Sequence, residues 1–172
     1  MRKKKEEAKE RRPLSEFTLP EYREIPDVGL YLEQTSKYVT DCLDSIKDSE
    51  ITGSMISNYV KHVIIPKTQK KLYYRDQIAY LLFISLTKNV ISLDDARFMF
   101  SVLEEKSSCE KAYAYFATRF VRMLHSVYLG EDISSSEEDA PEKELLSRVI
   151  TASVYSICSN DAIEKLKKDR TE

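Results

Sequence analysis

The chain offers few places for a tight turn: three glycines and five prolines interrupt 172 residues. A β-sandwich or barrel with many short strands needs turn residues every few positions, so this scarcity argues against one. Strong helix formers fill the stretches between the prolines, and apolar residues recur at helical spacing. Hydrophobic residues make up 42% of the chain, enough to fill a core, so the reading is a mainly α protein.

The pattern predicts a helix from about Leu30 to Ile46, with Leu32, Thr35, Val39 and Leu43 on one face. A short helix over residues 54–62 follows and stops before Pro66, which cannot continue it. Asp76 opens a helix to about Lys88, with Ile78, Leu81, Leu82 and Ser85 as its core face. Ser92, three residues before Asp95, and a second serine cap at Ser107-Ser108 predict helices to about Glu104 and Leu129. The last carries an aromatic stripe of Tyr113, Phe116 and Phe120, which reads as core. Residues 130–140 form an acidic, serine-rich loop, Pro141 starts the final helix, and the tail after Asn160 is either a charged terminal helix or frayed. Three segments result: a basic flexible tail over 1–18, a DNA-binding unit over 19–104, and a C-terminal helical hairpin over 105–172 for dimerisation or an effector.

Charge is segregated. Residues 1–12 hold seven basic and three acidic side chains, and residues 51–75 hold Lys61, Lys67, Lys70, Lys71 and Arg75 with no acid. The stretches between and after are acidic. An acidic chain with one acid-free basic segment meets a polyanion there. The short helix suits a recognition helix, which needs an apolar back and small polar residues toward the groove. Met55, Ile56, Tyr59, Val60 and Val63 form the inner face; Ser54, Ser57, Asn58 and Lys61 form the outer one and are read as base contacts. Thr52 or Ser54 caps the helix, whose N-terminus favours a phosphate. Lys67 to Arg75 reads as a basic wing, with Thr52, His62, Lys67, Lys70, Lys71 and Arg75 as phosphate contacts.

This segment resembles the MerR-type winged helix-turn-helix. Ile56 and Tyr59 stand where that family has its isoleucine and second aromatic, and Ile64-Ile65-Pro66 stand for Leu-Leu-Pro. Tyr73 or Tyr74 closes the wing, and Ser92-Leu93-Asp94-Asp95 resembles the family's Ser-Leu-acid start. Ser57 replaces the family's arginine, Val63 its glycine before Leu-Leu, and the long C-terminal coiled coil and cysteine effector site are missing. Through LPEYREIPD, ITGSMISNYVKHVIIP and KKLYYRDQIAYLLF, the whole chain is similar to an uncharacterised bacterial family of MerR-like small helical proteins, domain of unknown function 1836. The resemblance implies a MerR-like winged helix-turn-helix and a transcriptional regulator, with no known ligand.

Other classes find little support. No nucleophile elbow, P-loop, GxGxxG or HExxH occurs, so an enzyme is not expected. Cys42, Cys109 and Cys158 are far apart and only His62 and His125 accompany them, which leaves no metal site and no cofactor. The apolar run 78–86 is shorter than the roughly 18 residues of a membrane span, and the charged N-terminus is not a secretory signal, so a cytoplasmic protein is expected. The expected function is sequence-specific binding of double-stranded DNA as a homodimer. The alternative is a helical protein–protein interaction module that does not bind DNA.

Overall fold

A computed structural model describes residues 11–131 and 140–170. Six helices follow two single-turn 3-10 segments at Leu14–Glu16 and Tyr22–Glu24: α1 (Leu32–Cys42), α2 (Gly53–Lys61), α3 (Arg75–Thr87), α4 (Leu93–Lys106), α5 (Cys109–Leu129) and α6 (Pro141–Asp169). The protein is mainly helical, and its only β pairing among the described residues is two isolated antiparallel bridges, Leu30 with Tyr73 and Gln69 with Leu72.

Local chemistry sets the helix ends. Ser92 and Ser108 each accept a hydrogen bond from the backbone amide three residues on, Asp95 and Lys111; at α4 this is the serine–acid spacing of the sequence, whereas at α5 the cap is Ser108 and not Ser107, the serine three positions before Glu110. Gly130 ends α5 at φ 72°, the left-handed cap that glycine adopts without a Cβ penalty. At the start of α3 the cap is Tyr74 rather than Asp76: the Gln77 side chain returns to the Tyr74 amide at 2.8 Å. Asp76 is the second residue of the helix, within its first turn, and accepts the Tyr22 hydroxyl.

α3 is the centre of the molecule. Every residue from Gln77 to Thr87 is buried, so its apparent one-sided pattern gives way to burial all round. It packs against α1, α5 and α6. Phe83 meets Phe100 of α4 at 5.0 Å and Phe116 of α5 at 4.9 Å, ring centre to ring centre. The predicted aromatic stripe of α5 is indeed core, with Phe116, Phe120 and Leu124 almost fully buried. Each such side chain contributes about 1.5–3 kcal/mol of transfer free energy. α6 lies along α5 and buries Leu146, Val149, Ile150 and Val154.

The N-terminal segment departs from expectation. Residues 1–10 of the predicted basic tail lie outside the described residues, but 13–18 are anchored: Leu14 and Phe17 are buried, and Phe17 meets Phe120 edge-on at 6.2 Å. His125, on α5, contacts the Phe17 carbonyl at 2.9 Å. Polar flanks hid two apolar anchors three residues apart. Of the two readings of the tail after Asn160, the helical one holds: α6 runs nine residues further to Asp169, held by Lys47 and Arg11 on Glu164 and by an Asp161–Lys165 pair. The core is therefore continuous from Leu14 to Val154, and no boundary at residue 104 divides it.

Candidate nucleic-acid interface

α1 and α2 pack together and are joined by ten residues, 43–52. The connection is tied down: the Ser49 hydroxyl donates to the carbonyls of Leu43 and Ile46, and the Ser36 hydroxyl of α1 donates to the Ile51 carbonyl at 2.5 Å. Lys88 donates to the Glu50 carbonyl at 3.0 Å. Thr52 then caps α2, its hydroxyl accepting from the Met55 amide at 3.2 Å.

α2 presents two faces. Ile56 and Tyr59 are buried, with Met55 and Val60 half-buried beside them. Ser54, Ser57, Asn58 and Lys61 are all exposed. Val63, expected on the inner face, is exposed instead and takes φ 57°, because the chain reverses there to bury Ile64 and Ile65. The Ile64 amide returns to the Tyr59 carbonyl at 2.8 Å and closes the helix in the manner that usually calls for glycine. His62, the C-cap, is exposed.

A small hairpin follows. Gln69 and Leu72 bridge, the Leu72 amide donating to the Gln69 carbonyl at 2.9 Å. The two residues between them, Lys70 and Lys71, both have positive φ, 52° and 64°, as in a type I′ turn. Their side chains, like that of Lys67, are exposed. The outgoing strand pairs with the segment before α1: Leu30 and Tyr73 exchange both amide-to-carbonyl hydrogen bonds, each 2.9 Å. Gly29 permits this approach, since a Cβ there would lie 2.8 Å from the Leu72 Cβ. Among the described residues, no ion pair or hydrogen bond engages the side chains of Lys61, Lys67, Lys70 or Lys71.

Arg75 is different from the other predicted phosphate contacts. Its Nε donates to the Ile25 carbonyl at 2.8 Å, its Nη2 reaches the Arg23 carbonyl at 3.4 Å, and its Nη1 lies 3.7 Å from Asp27. The guanidinium also covers the Tyr22 ring at 5.5 Å. It fastens the Tyr22–Asp27 segment to the hairpin base and is not an available phosphate ligand. The α2 N-terminus also has an acidic neighbour: a Glu33 carboxylate oxygen lies 3.2 Å from where a Cβ on Gly53 would stand, near the positive end of that helix.

Two residues of this region escape a reading by composition. Glu33 is one. The other is Gln77, buried in the first turn of α3, whose Nε2 donates to the carbonyls of Pro66 and Lys67 at 3.2 and 3.0 Å while its Oε1 accepts from Tyr74. One amide thus clasps both stems of the hairpin. Glutamine three residues after the cap was the available signal for it.

Elsewhere, a small apolar cavity of about 30 Å³ lies between α3, α4 and α5, lined by Phe83, Phe100 and Phe116 with Tyr80 and Cys109 at its edge. It is the size of one water molecule. Among the described residues no group of three or more His, Cys, Asp or Glu is placed to hold a metal ion, and no helix is long and apolar enough to cross a membrane.

Residues 20–116 match the family described as Domain of unknown function (DUF1836), and the chain belongs to that family. No curated protein and no solved structure matches it.

Proposed function

We propose that this member of the DUF1836 family is a sequence-specific double-stranded DNA-binding protein, a cytoplasmic transcriptional regulator that docks as a MerR-like winged helix-turn-helix. α2 would be the recognition helix and the Gln69–Leu72 hairpin the wing. The observation that carries this reading is the tip of that hairpin. Two lysines occupy left-handed positions where Asn-Gly would be favoured, at roughly 1–2 kcal/mol each for a non-glycine residue. The turn therefore carries two ammonium groups at a conformational cost, and they face solvent with no carboxylate partner among the described residues. The left-handed Val63 adds support, because it stands where the MerR pattern has glycine.

In this reading Ser54, Ser57, Asn58 and Lys61 face base edges, and Lys67, Lys70 and Lys71 hold phosphates, with His62 beside them. Asn can bond adenine bidentately, serine reads either kind of base, and the lysines fix register without reading sequence. Thr52 contributes chiefly as the helix cap.

Selection of bound duplexes from a random pool tests the proposal, followed by affinity as a function of salt. Lys70→Ala with Lys71→Ala should weaken binding to all duplexes and reduce the salt slope by about 0.9 for each phosphate that is no longer neutralised. Asn58→Ala should change the preference among sequences more than the general affinity. If no duplex is retained at physiological salt, the chain is instead an interaction module, the second reading, for which the outward face of α6 is the supporting observation.

A further inference from the structure

We propose that the cleft between the Thr18–Arg23 strap and α5 binds a medium-chain monocarboxylate, with Arg122 holding the carboxylate. This inference stands on the cleft alone and does not depend on DNA binding. The strap runs antiparallel to α5 and is tied to it at three points. The Phe17 carbonyl meets His125 at 2.9 Å, the Pro20 carbonyl accepts the Tyr113 hydroxyl at 2.9 Å, and Arg23 pairs with Glu110 at 3.3 Å. The outer ties are fifteen residues apart on the helix, about 22 Å. Between strap and helix lies a cleft of about 810 Å³. That falls within the roughly 300–1,000 Å³ of small-molecule sites.

The walls select the occupant. The middle of the cleft is apolar and small, with Leu19 and Pro20 from the strap and Ala114, Ala117 and Val121 from α5. Charge sits only at the ends, and the ends differ. Arg122 and His125 mark one, where no acid lines the cleft. Among the described residues, no ion pair or hydrogen bond engages the Arg122 side chain, and Thr118 and Ser126, one turn to either side, are neutral. At the other end Glu110 already neutralises Arg23, and Glu21 lies on the same side. The cleft thus offers one open cation, an apolar trough and an acidic far end. A single carboxylate on an unbranched chain suits all three, whereas a second carboxylate would meet Glu21 and Glu110. From Arg122 back to Ala114 is eight residues of helix, about 12 Å, the span of an extended decanoate. Occupancy would also reach the hairpin. Tyr22, which lines the cleft, donates to Asp76 in the first turn of α3 and lies under the Arg75 guanidinium, so a ligand that steadies the strap steadies the hairpin base.

Titration of the full chain with decanoate below its micelle-forming concentration tests this, read by calorimetry and by backbone amide NMR shifts. One molecule should bind per chain, with shifts centred on Ala114, Ala117 and Val121. Decanol, which lacks the charge, and decanedioate, which carries a second one, should each bind about five- to tenfold more weakly. Arg122→Gln should weaken decanoate by a similar factor and leave decanol unchanged. Ala114→Trp should block both by filling the trough. Arg122 and Ala114 are both exposed, so the thermal midpoints of the variants should match the wild type and exclude misfolding as the cause. Absence of saturable decanoate binding, or binding that Ala114→Trp leaves intact, overturns the proposal. Equal affinity for decanol and decanoate, or an Arg122→Gln chain that holds decanoate as well as the wild type, overturns the carboxylate contact. With decanoate bound, hydrogen exchange at the Tyr74 amide should slow; exchange that stays the same would overturn the link to the hairpin.

Discussion

Gln77 donates to the Lys67 carbonyl at 3.0 Å, tying the first turn of α3 to the entry of the basic hairpin. Its amide makes two further bonds, to Pro66 and Tyr74, so all three backbone groups depend on one side chain. Gln77→Leu keeps the volume and leaves these groups unpaired, at a cost of about 1–3 kcal/mol. Hydrogen exchange at the Leu72 and Tyr74 amides should accelerate well beyond that of the α5 amides. Equal acceleration in α5 would mean that the side chain holds the whole core and not the hairpin.

Lys70→Asn with Lys71→Gly separates folding from binding. The pair suits positive φ at both positions, so stability should rise by about 1–2 kcal/mol. For a chain of this length that is roughly 3–6 °C in Tm. Affinity for duplex DNA should fall at the same time, because two cations are removed. A variant that gains stability and keeps its affinity would show that the hairpin tip does not touch nucleic acid.

Glu33 lies beside the N-terminus of α2, where its charge opposes an approaching phosphate. Glu33→Gln should cost the free protein about 0.3–1 kcal/mol by removing the charge that complements the helix dipole. It should also tighten DNA binding, most visibly at low salt. Unchanged affinity would place the phosphate backbone away from this end of the helix.

The core predicts alkaline lability. Burial pushes the Cys109 thiol up to about 12, above the ordinary 9. Burial also raises the phenols of Tyr80, which donates to Glu104, and of Tyr113, which donates to the Pro20 carbonyl. Unfolding frees these groups to ionise, the thiol near pH 9 and the phenols near 10, while the folded state keeps them protonated. Their contribution is therefore complete below about pH 9 and is lost as the pH rises toward 12. The thermal midpoint should drop steadily across that window, with Cys109→Ala flattening its lower part. A flat profile from about pH 9 to 12 would contradict the burial of these groups.

Much of this architecture was readable from local chemistry. Ser92 caps the helix its spacing predicts, one of the two serines at 107–108 caps the next, Pro141 opens α6, and the outer residues of α2 are exposed as the helical period requires. What was not readable depends on neighbours distant in sequence. A one-sided pattern in α3 could not reveal that α5 and α6 cover its other sides. The charge of Arg75 looked available until the Ile25 carbonyl and the Tyr22 ring, some fifty residues earlier, claimed it. Leu14 and Phe17 looked like part of a tail because their anchor, Phe120, lies a hundred positions away. Lys70 and Lys71 gave no hint of left-handed backbone, since that geometry is imposed by the pairing of Gln69 with Leu72.

A helix enclosed on every side also constrains how the protein can be dissected. The family match ends at residue 116, about a third of the way along α5, yet Phe120, Leu124, Ile150 and Val154 beyond it are buried in the same core on the two helices that pack against α3. A fragment cut there would strip α6 and most of α5 from α3, the helix whose first turn carries Gln77, so the lysine-bearing turn and the far C-terminal helix are coupled through one core.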